Sequence, residues 1–299
     1  MPPYQSPYAA LNDFVAPARS KAQIWRILGG LLIAAAFGVL ASQAILAVVV
    51  AALGRTDARS ALLRLATGST PAGVIELLFS YVPLAAGIAL GLWLMSRRGL
   101  FSLIGPLGPA ARNFLWVATP MTLLWLAVMP LSVQDGTVHQ NLTVWQQLPW
   151  LPFAVLGLLI QTGTEELLFR GYLQQHLAAR FRSRWVWMVL PALLFGLVHY
   201  SQQQFGYVAW AVVAWSALFG LVAADLTART GNLGAAIGLH FANNASAVLM
   251  VGLADNLGGL ALYTSSVDPS ATAMPLLFLG LDAVTVVVGW GIARLILRV

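Results

Sequence analysis

Long apolar runs separated by short polar clusters set the plan of this chain. Eight of them are long enough to form helices, at roughly 25–53, 72–96, 114–134, 148–178, 185–200, 207–228, 232–254 and 274–297. About 20 apolar residues in a helix cross the ~30 Å hydrocarbon core of a bilayer, so each run is expected to span. The fifth is short at its apolar core, and the fourth is long enough to tilt or protrude. No alternating pattern of the β-barrel kind appears. The expectation is an all-α, polytopic transmembrane helix bundle of about eight spans. One stretch breaks the pattern. Arg55, Arg59 and Arg64 follow the first run, and with Leu62, Leu63 and Leu65 they fit a short interfacial helix; a re-entrant first span is the other reading.

Composition agrees. The chain has 299 residues, 59% hydrophobic and 9% charged, with mean hydropathy +0.80, where soluble domains carry about 25% charged residues. Cysteine is absent, which excludes disulfides, Cys-based metal sites and Cys nucleophiles. A net charge of +6 invites a nucleic-acid reading, but the charges fall in short clusters between apolar runs, so no nucleic-acid partner is expected and membrane lipid is. Arginine outnumbers lysine 15 to 1, which fits GC-rich coding and a bacterial source. Residues 1–22 are polar and Pro-rich, without the apolar core of a signal peptide, and are expected to be a cytoplasmic tail; 23–299 would be the integral membrane domain. Cytoplasmic segments retain Arg and Lys. With the N-terminus inside, Arg19, Lys21, Arg26, Arg97, Arg98, Arg112, Arg180, Arg182, Arg184, Arg229, Arg294 and Arg298 fall inside, and only Arg55, Arg59 and Arg64 fall outside. A multi-pass protein of the cell (inner) membrane with both termini cytoplasmic is expected.

The candidate chemistry lies within the fourth run, in Glu165-Glu166-Leu-Leu-Phe-Arg170. A charge at the centre of a membrane helix costs roughly 3 kcal/mol on insertion scales, so three in six residues imply a polar intramembrane cavity. Glu166 and Arg170 are i,i+4 and share a helix face; a buried pair there would be structural. Glu165, rotated about 100°, has no local cationic partner and is the carboxylate free for chemistry. His199 ends the fifth run. His240 and Asn244, also i,i+4, project together from the seventh, with Asn243 turned away. Glu165 with His199 can deprotonate a water, while His240 and Asn244 can donate to an oxyanion. Glu165, His199 and His240 are equally a plausible zinc set, and spacing does not decide between the two. His139 and His176 read as exposed or interfacial. Glu76 and Asp282 read as structural, pairing with Arg55, Arg59 or Arg64 or lining a cavity, and Asp225 pairs with Arg229. Gly163 and Gly171 flank the glutamates as close-packing positions.

Three motifs, Glu165-Glu166-x-x-x-Arg170, Phe195-x-x-x-His199 and His240-x-x-x-Asn244, stand in that order on successive runs. In this the chain resembles the CAAX protease and bacteriocin-processing (CPBP, Abi-like) intramembrane endopeptidases, over about 148–250, which would be the catalytic core. The resemblance implies a helical fold with a conical cavity opening toward the cytoplasm. It makes Glu165 the catalytic carboxylate, His199 its partner on the water, and His240 and Asn244 the oxyanion donors. Glu166, Arg170 and Phe195 would support them. Peptide-bond hydrolysis near the cytoplasmic side is then expected. No HExxH or GxGD motif is present, no cofactor is favoured, and zinc stays possible. The implied substrate is a prenylated or membrane-associated peptide or protein; in a bacterium a bacteriocin, pheromone or anchored regulator is as plausible. A non-catalytic immunity or regulatory protein of the same fold is the alternative, and a small transporter is a weaker one, since no repeat between halves is seen. Straight helices drawn on these boundaries would leave Glu165, His199 and His240 at different depths.

Overall fold

The computed structural model of the chain describes residues 7–132, 138–254, 256–267 and 274–299. Its elements follow in chain order. α1 (Leu11–Val15) leads into a tight turn of helix at Ala16–Lys21. α2 (Ile24–Thr67), α3 (Pro71–Phe79), α4 (Val82–Ser96) and α5 (Leu107–Ser132) come next. After β1 (Val138–Gln140) and α6 (Val144–Gln147), α7 (Leu151–Glu166) widens into a π-helical stretch at Leu167–Gln174 and continues as α8 (Gln175–Arg180). A second wide turn, Trp185–Val189, opens α9 (Leu190–Leu197); α10 (Gln202–Phe205), α11 (Ala209–Thr230) and α12 (Gly234–Ala245) follow. A third wide turn, Ser246–Met250, leads to β2 (Val251–Leu253), then β3 (Tyr263–Ser265) and α13 (Met274–Leu297).

The fold is a helix bundle. Among the described residues, five helical stretches are long and apolar enough to cross a membrane: Ile24–Thr67, Pro71–Ser96, Val144–Arg180, Gln202–Thr230 and Leu276–Leu297. Trp185–Leu197 is a shorter apolar helix. All eight expected runs contain helix; five candidate crossings are found by length and composition among the described residues, and the count of about eight is not confirmed. The seventh ends early, giving way to β2 at Val251. The first run breaks where the sequence placed its boundary. Gly54 leaves helical geometry at φ 77°, ψ 164°, and a second helical piece carries Arg55, Arg59 and Arg64. At 44 residues α2 would measure about 66 Å if straight, so the break lets its last third leave the direction of the first.

Starts and stops have local causes. Thr70 caps α3, its hydroxyl accepting from the Gly73 N–H at 3.1 Å, with Pro71 in the first turn. Gly231 stops α11 at φ 67°, and the carbonyl of Ala10 lies where its Cβ would be. Small residues then let helices touch by their backbones. A Cβ on Gly87 or Gly91 would strike the carbonyl of Ala34 or Gly30, and one on Gly234 or Gly238 those of Ala110 or Phe114. These are small-xxx-small seams joining α2 to α4 and α12 to α5. α11 and α12 are the buried centre, while α2 and α13 expose Leu28, Leu32, Leu40, Leu281 and Val284, as lipid-facing helices do.

The bundle has two dissimilar ends. At one, the leading segment lies against the bundle rather than apart from it: Leu11, Phe14, Val15 and Ala18 are buried. Tyr8 donates to Asp225, which also pairs with Arg229 (2.7 Å) as expected and accepts from Trp290. Gln175 donates to the Phe14 carbonyl, and Arg98 reaches Gln175, His176 and the Ser102 carbonyl. Burial lowers the Arg98 guanidinium to about 10, so it is still cationic at neutral pH. At the other end a three-stranded sheet, absent from the sequence reading, ties loops together. β3 lies between β1 (antiparallel, Val138 opposite Ser265) and β2 (parallel, Val251 opposite Tyr263). Leu257 N–H bonds the Thr67 carbonyl, joining this cap to the end of α2.

Candidate active site

Each motif-bearing helix carries a π-helical stretch beside its motif: 167–174 after the glutamates, 185–189 ahead of Phe195, and 246–250 after Asn244. Such wide turns shift the helix face by a fraction of a turn and recur at functional sites. Here they accompany the convergence that straight helices denied. Glu165, His199, His240 and Asn244 line one cavity of about 440 Å³, together with Gln161, Phe195 and Tyr81.

Glu166 and Arg170 form the expected pair, 2.8 Å apart and fully buried. The same Glu166 oxygen also accepts from His240 Nδ1 at 2.8 Å. His240 is therefore tied first to the structural carboxylate, and its Nε2 faces the Glu165 Oε2 at 3.6 Å. Nδ1 must carry a proton, because Glu166 is an acceptor already engaged by Arg170. A favourable contact of Nε2 with Glu165 then requires one more proton shared between them. Three buried polar atoms at this junction, Glu165 Oε2, Glu166 Oε2 and Arg170 Nη2, have no hydrogen-bond partner. The Arg170 guanidinium also lies over the Phe195 ring, 4.5 Å from its centre.

Glu165 has a local partner that the sequence reading missed. Gln161, one turn earlier, donates from Nε2 to the Glu165 Oε1 at 2.7 Å, and its own carbonyl accepts from Asn244 Nδ2 at 2.9 Å. Asn244 thus supports Glu165 through Gln161. The spacing Gln161-x-x-x-Glu165 was visible as an i,i+4 pair. Tyr81, at the break between α3 and α4, lines the cavity together with Glu165 and Gln161. Phe219 packs against His240 with its ring tilted, ring centres 4.9 Å apart. Nothing in the pattern singled out Tyr81 or Phe219. Phe195 packs against the His199 ring at 4.6 Å, and its carbonyl accepts from His199 Nδ1 at 2.7 Å. That fixes the tautomer and leaves the His199 Nε2 as an acceptor. His199 sits in the turn after α9, partly exposed.

Several expectations need correction. His176 is not exposed but buried, bonded to the Tyr172 carbonyl (2.7 Å) and near Arg98 (3.3 Å) in the closed end; His139 is exposed as expected. Asn243 is not turned away but lines the cavity as well. Gly171 packs tightly on Leu103, as expected, but a Cβ on Gly163 would meet nothing within 4 Å. Among the ion pairs of the described residues, none joins Glu76 or Asp282 to Arg55, Arg59 or Arg64. Also among the described residues, no three His, Asp or Glu side chains are grouped so as to hold a metal ion.

Residues 146–246 match the family model of type II CAAX prenyl endopeptidase, Rce1-like. The chain is also 26% identical over 245 residues to the uncharacterized protein YyaK of Bacillus subtilis (strain 168), covering 78% of this chain and 80% of that one. No solved structure matches. The family match coincides with the segment that carries all three motifs and supports the CPBP, CAAX-protease family.

Proposed function

We propose that this membrane protein is an intramembrane peptidase in which Glu165 activates a water for attack on a peptide bond. The observation that carries this reading is the convergence of Glu165 from α7, His199 from the turn after α9, and His240 and Asn244 from α12 on one cavity. Water held between Glu165 and the His199 Nε2 loses a proton to Glu165 as its oxygen adds to the carbonyl carbon. The oxyanion that forms accepts from the second Asn244 amide hydrogen and from His240 once its Nε2 is protonated. Glu165 then returns its proton to the amide nitrogen, the C–N bond breaks, and a carboxylic acid and an amine leave. Gln161 fixes the Glu165 oxygen that is not reacting, and Glu166 with Arg170 holds His240 in place. Every proton in this sequence moves between protein groups, water and substrate, so no step is routed through a metal.

Cleavage of a reporter peptide in purified, lipid-reconstituted protein tests this. General acid–base groups contribute about 10²–10⁴-fold, so Glu165→Gln and His199→Ala are each expected to lower kcat by at least 100-fold. Activity is expected to survive a metal chelator. Unchanged cleavage by Glu165→Gln would overturn the reading. If a cellular phenotype of the protein also survived that substitution, the non-catalytic alternative would take its place.

A further inference from the structure

Among the described residues, the cavity lining reaches the end of the bundle that carries the sheet. Its deep wall is Glu165, Phe195 and His240, and its rim is Ser201, Gln204, Phe205 and Leu257. These rim residues come from the turn and short helix after α9 and from the loop bonded to the end of α2. The opposite end is closed. There the leading segment is buried against α8 and α11, and Arg98, Gln175 and His176 form a hydrogen-bonded plug.

The two ends also differ in charge. Arg19, Lys21, Arg26, Arg97, Arg98, Arg112, Arg180, Arg182, Arg184, Arg229, Arg294 and Arg298 belong to the closed end, twelve of the chain's 16 basic residues. Only Arg55, Arg59 and Arg64 belong to the rim end, and Arg170 is enclosed. Arginine-rich termini and short loops are retained in the cytoplasm. A cytoplasmic N-terminus and a cavity opening to the cytoplasm were both expected from the sequence, and this fold does not allow both, because the leading segment and the rim lie at opposite ends.

We propose that the reactive cavity is entered from the non-cytoplasmic face, and that its substrate is an exported or outer-leaflet-anchored peptide segment of uncharged character. What happens to that peptide rests on the peptidase reading, whereas the side of entry does not. Among the described residues, the rim is lined by no Lys, Arg, Asp or Glu. Also among the described residues, Glu165, His199 and His240 are the only acidic or histidine side chains lining the cavity, and none of them is at the rim, so the entrance favours an uncharged segment.

The absence of cysteine makes single-cysteine labelling direct. Gln204→Cys at the rim, Gln203→Cys beside it on the exposed face of α10, and Ser20→Cys at the closed end would each be placed in the full-length protein in cell membranes. A membrane-impermeant maleimide is then applied to spheroplasts and to inverted vesicles. Gln203→Cys and Gln204→Cys are expected to label at least ten-fold more in spheroplasts, and Ser20→Cys at least ten-fold more in inverted vesicles. The reverse pattern, or equal labelling from both sides, overturns the side of entry. A reporter presented with its cleavable segment outside is expected to be cut, and the same segment presented in the cytoplasm is not; cleavage of the cytoplasmic form alone overturns the substrate class. Because labelling needs no activity, an inactive but correctly labelled protein would sink the peptidase reading and leave the entry side standing.

Discussion

Single residues divide into those that hold the site and those that act in it. Glu166 and Arg170 are buried together, and removing one partner of such a pair leaves an uncompensated charge, at a cost of about 3–5 kcal/mol. Arg170→Met is therefore expected to unfold several degrees earlier in detergent, and the double variant Glu166→Gln/Arg170→Met to recover part of the loss. A single variant as stable as the parent would mean the pair does not hold the helix. Gln161 behaves differently, because it spans Glu165 and Asn244. A hydrogen bond to a charged group contributes about 1.5–3 kcal/mol, so Gln161→Leu is expected to lower kcat roughly 10- to 100-fold with little change in KM. Equal loss in the melting temperature and in kcat would instead mark Gln161 as merely structural.

At the level of elements, packing depends on where a side chain is missing. Gly91 and Gly238 face the backbone of a neighbouring helix, and neither that backbone nor the seam can yield without separating two helices. Overpacking of a core costs about 1–3 kcal/mol, and Gly91→Val or Gly238→Val is expected to reach or exceed the upper end. Gly163 sits in the glutamate helix with open space at its Cβ position. Alanine there removes backbone freedom from the unfolded chain and clashes with nothing, so Gly163→Ala is expected to gain about 0.5–1 kcal/mol. Detergent or SDS titration of the three variants distinguishes the seams from the open face; a destabilised Gly163→Ala would refute this account of α7.

For the molecule as a whole, the closed end is part of the stability of the bundle. Leu11 is fully buried and Phe14 nearly so, and truncating such a leucine to alanine costs about 2–5 kcal/mol. Leu11→Ala is expected to lower the melting temperature clearly, and removal of residues 1–21 to lower it further. A truncated protein that melts like the parent would mean that the leading segment only rests on the bundle. The same end carries most of the positive charge.

Hydrophobic period and the expense of charge in lipid determined a great deal from the sequence alone. They gave the helical class, the placement of all eight apolar runs in helix, a boundary at the Gly54 break, the Glu166–Arg170 pair, and Glu165, His199, His240 and Asn244 among the polar groups that meet in the cavity. These features depend on spacing within one helix, and spacing is written in the chain. What only the tertiary structure decided depends on contacts between helices. His240 turns to Glu166 before Glu165, Asn244 reaches Glu165 through Gln161, and His176 disappears into the closed end. The depth mismatch drawn from straight helices is gone in the folded chain, with π-helical stretches beside all three motifs, because a fixed rise per residue cannot anticipate a change of helical pitch. Which end of the bundle the cavity approaches is likewise a matter of which loops gather together, and the residues alone did not carry it; only the family resemblance implied an opening.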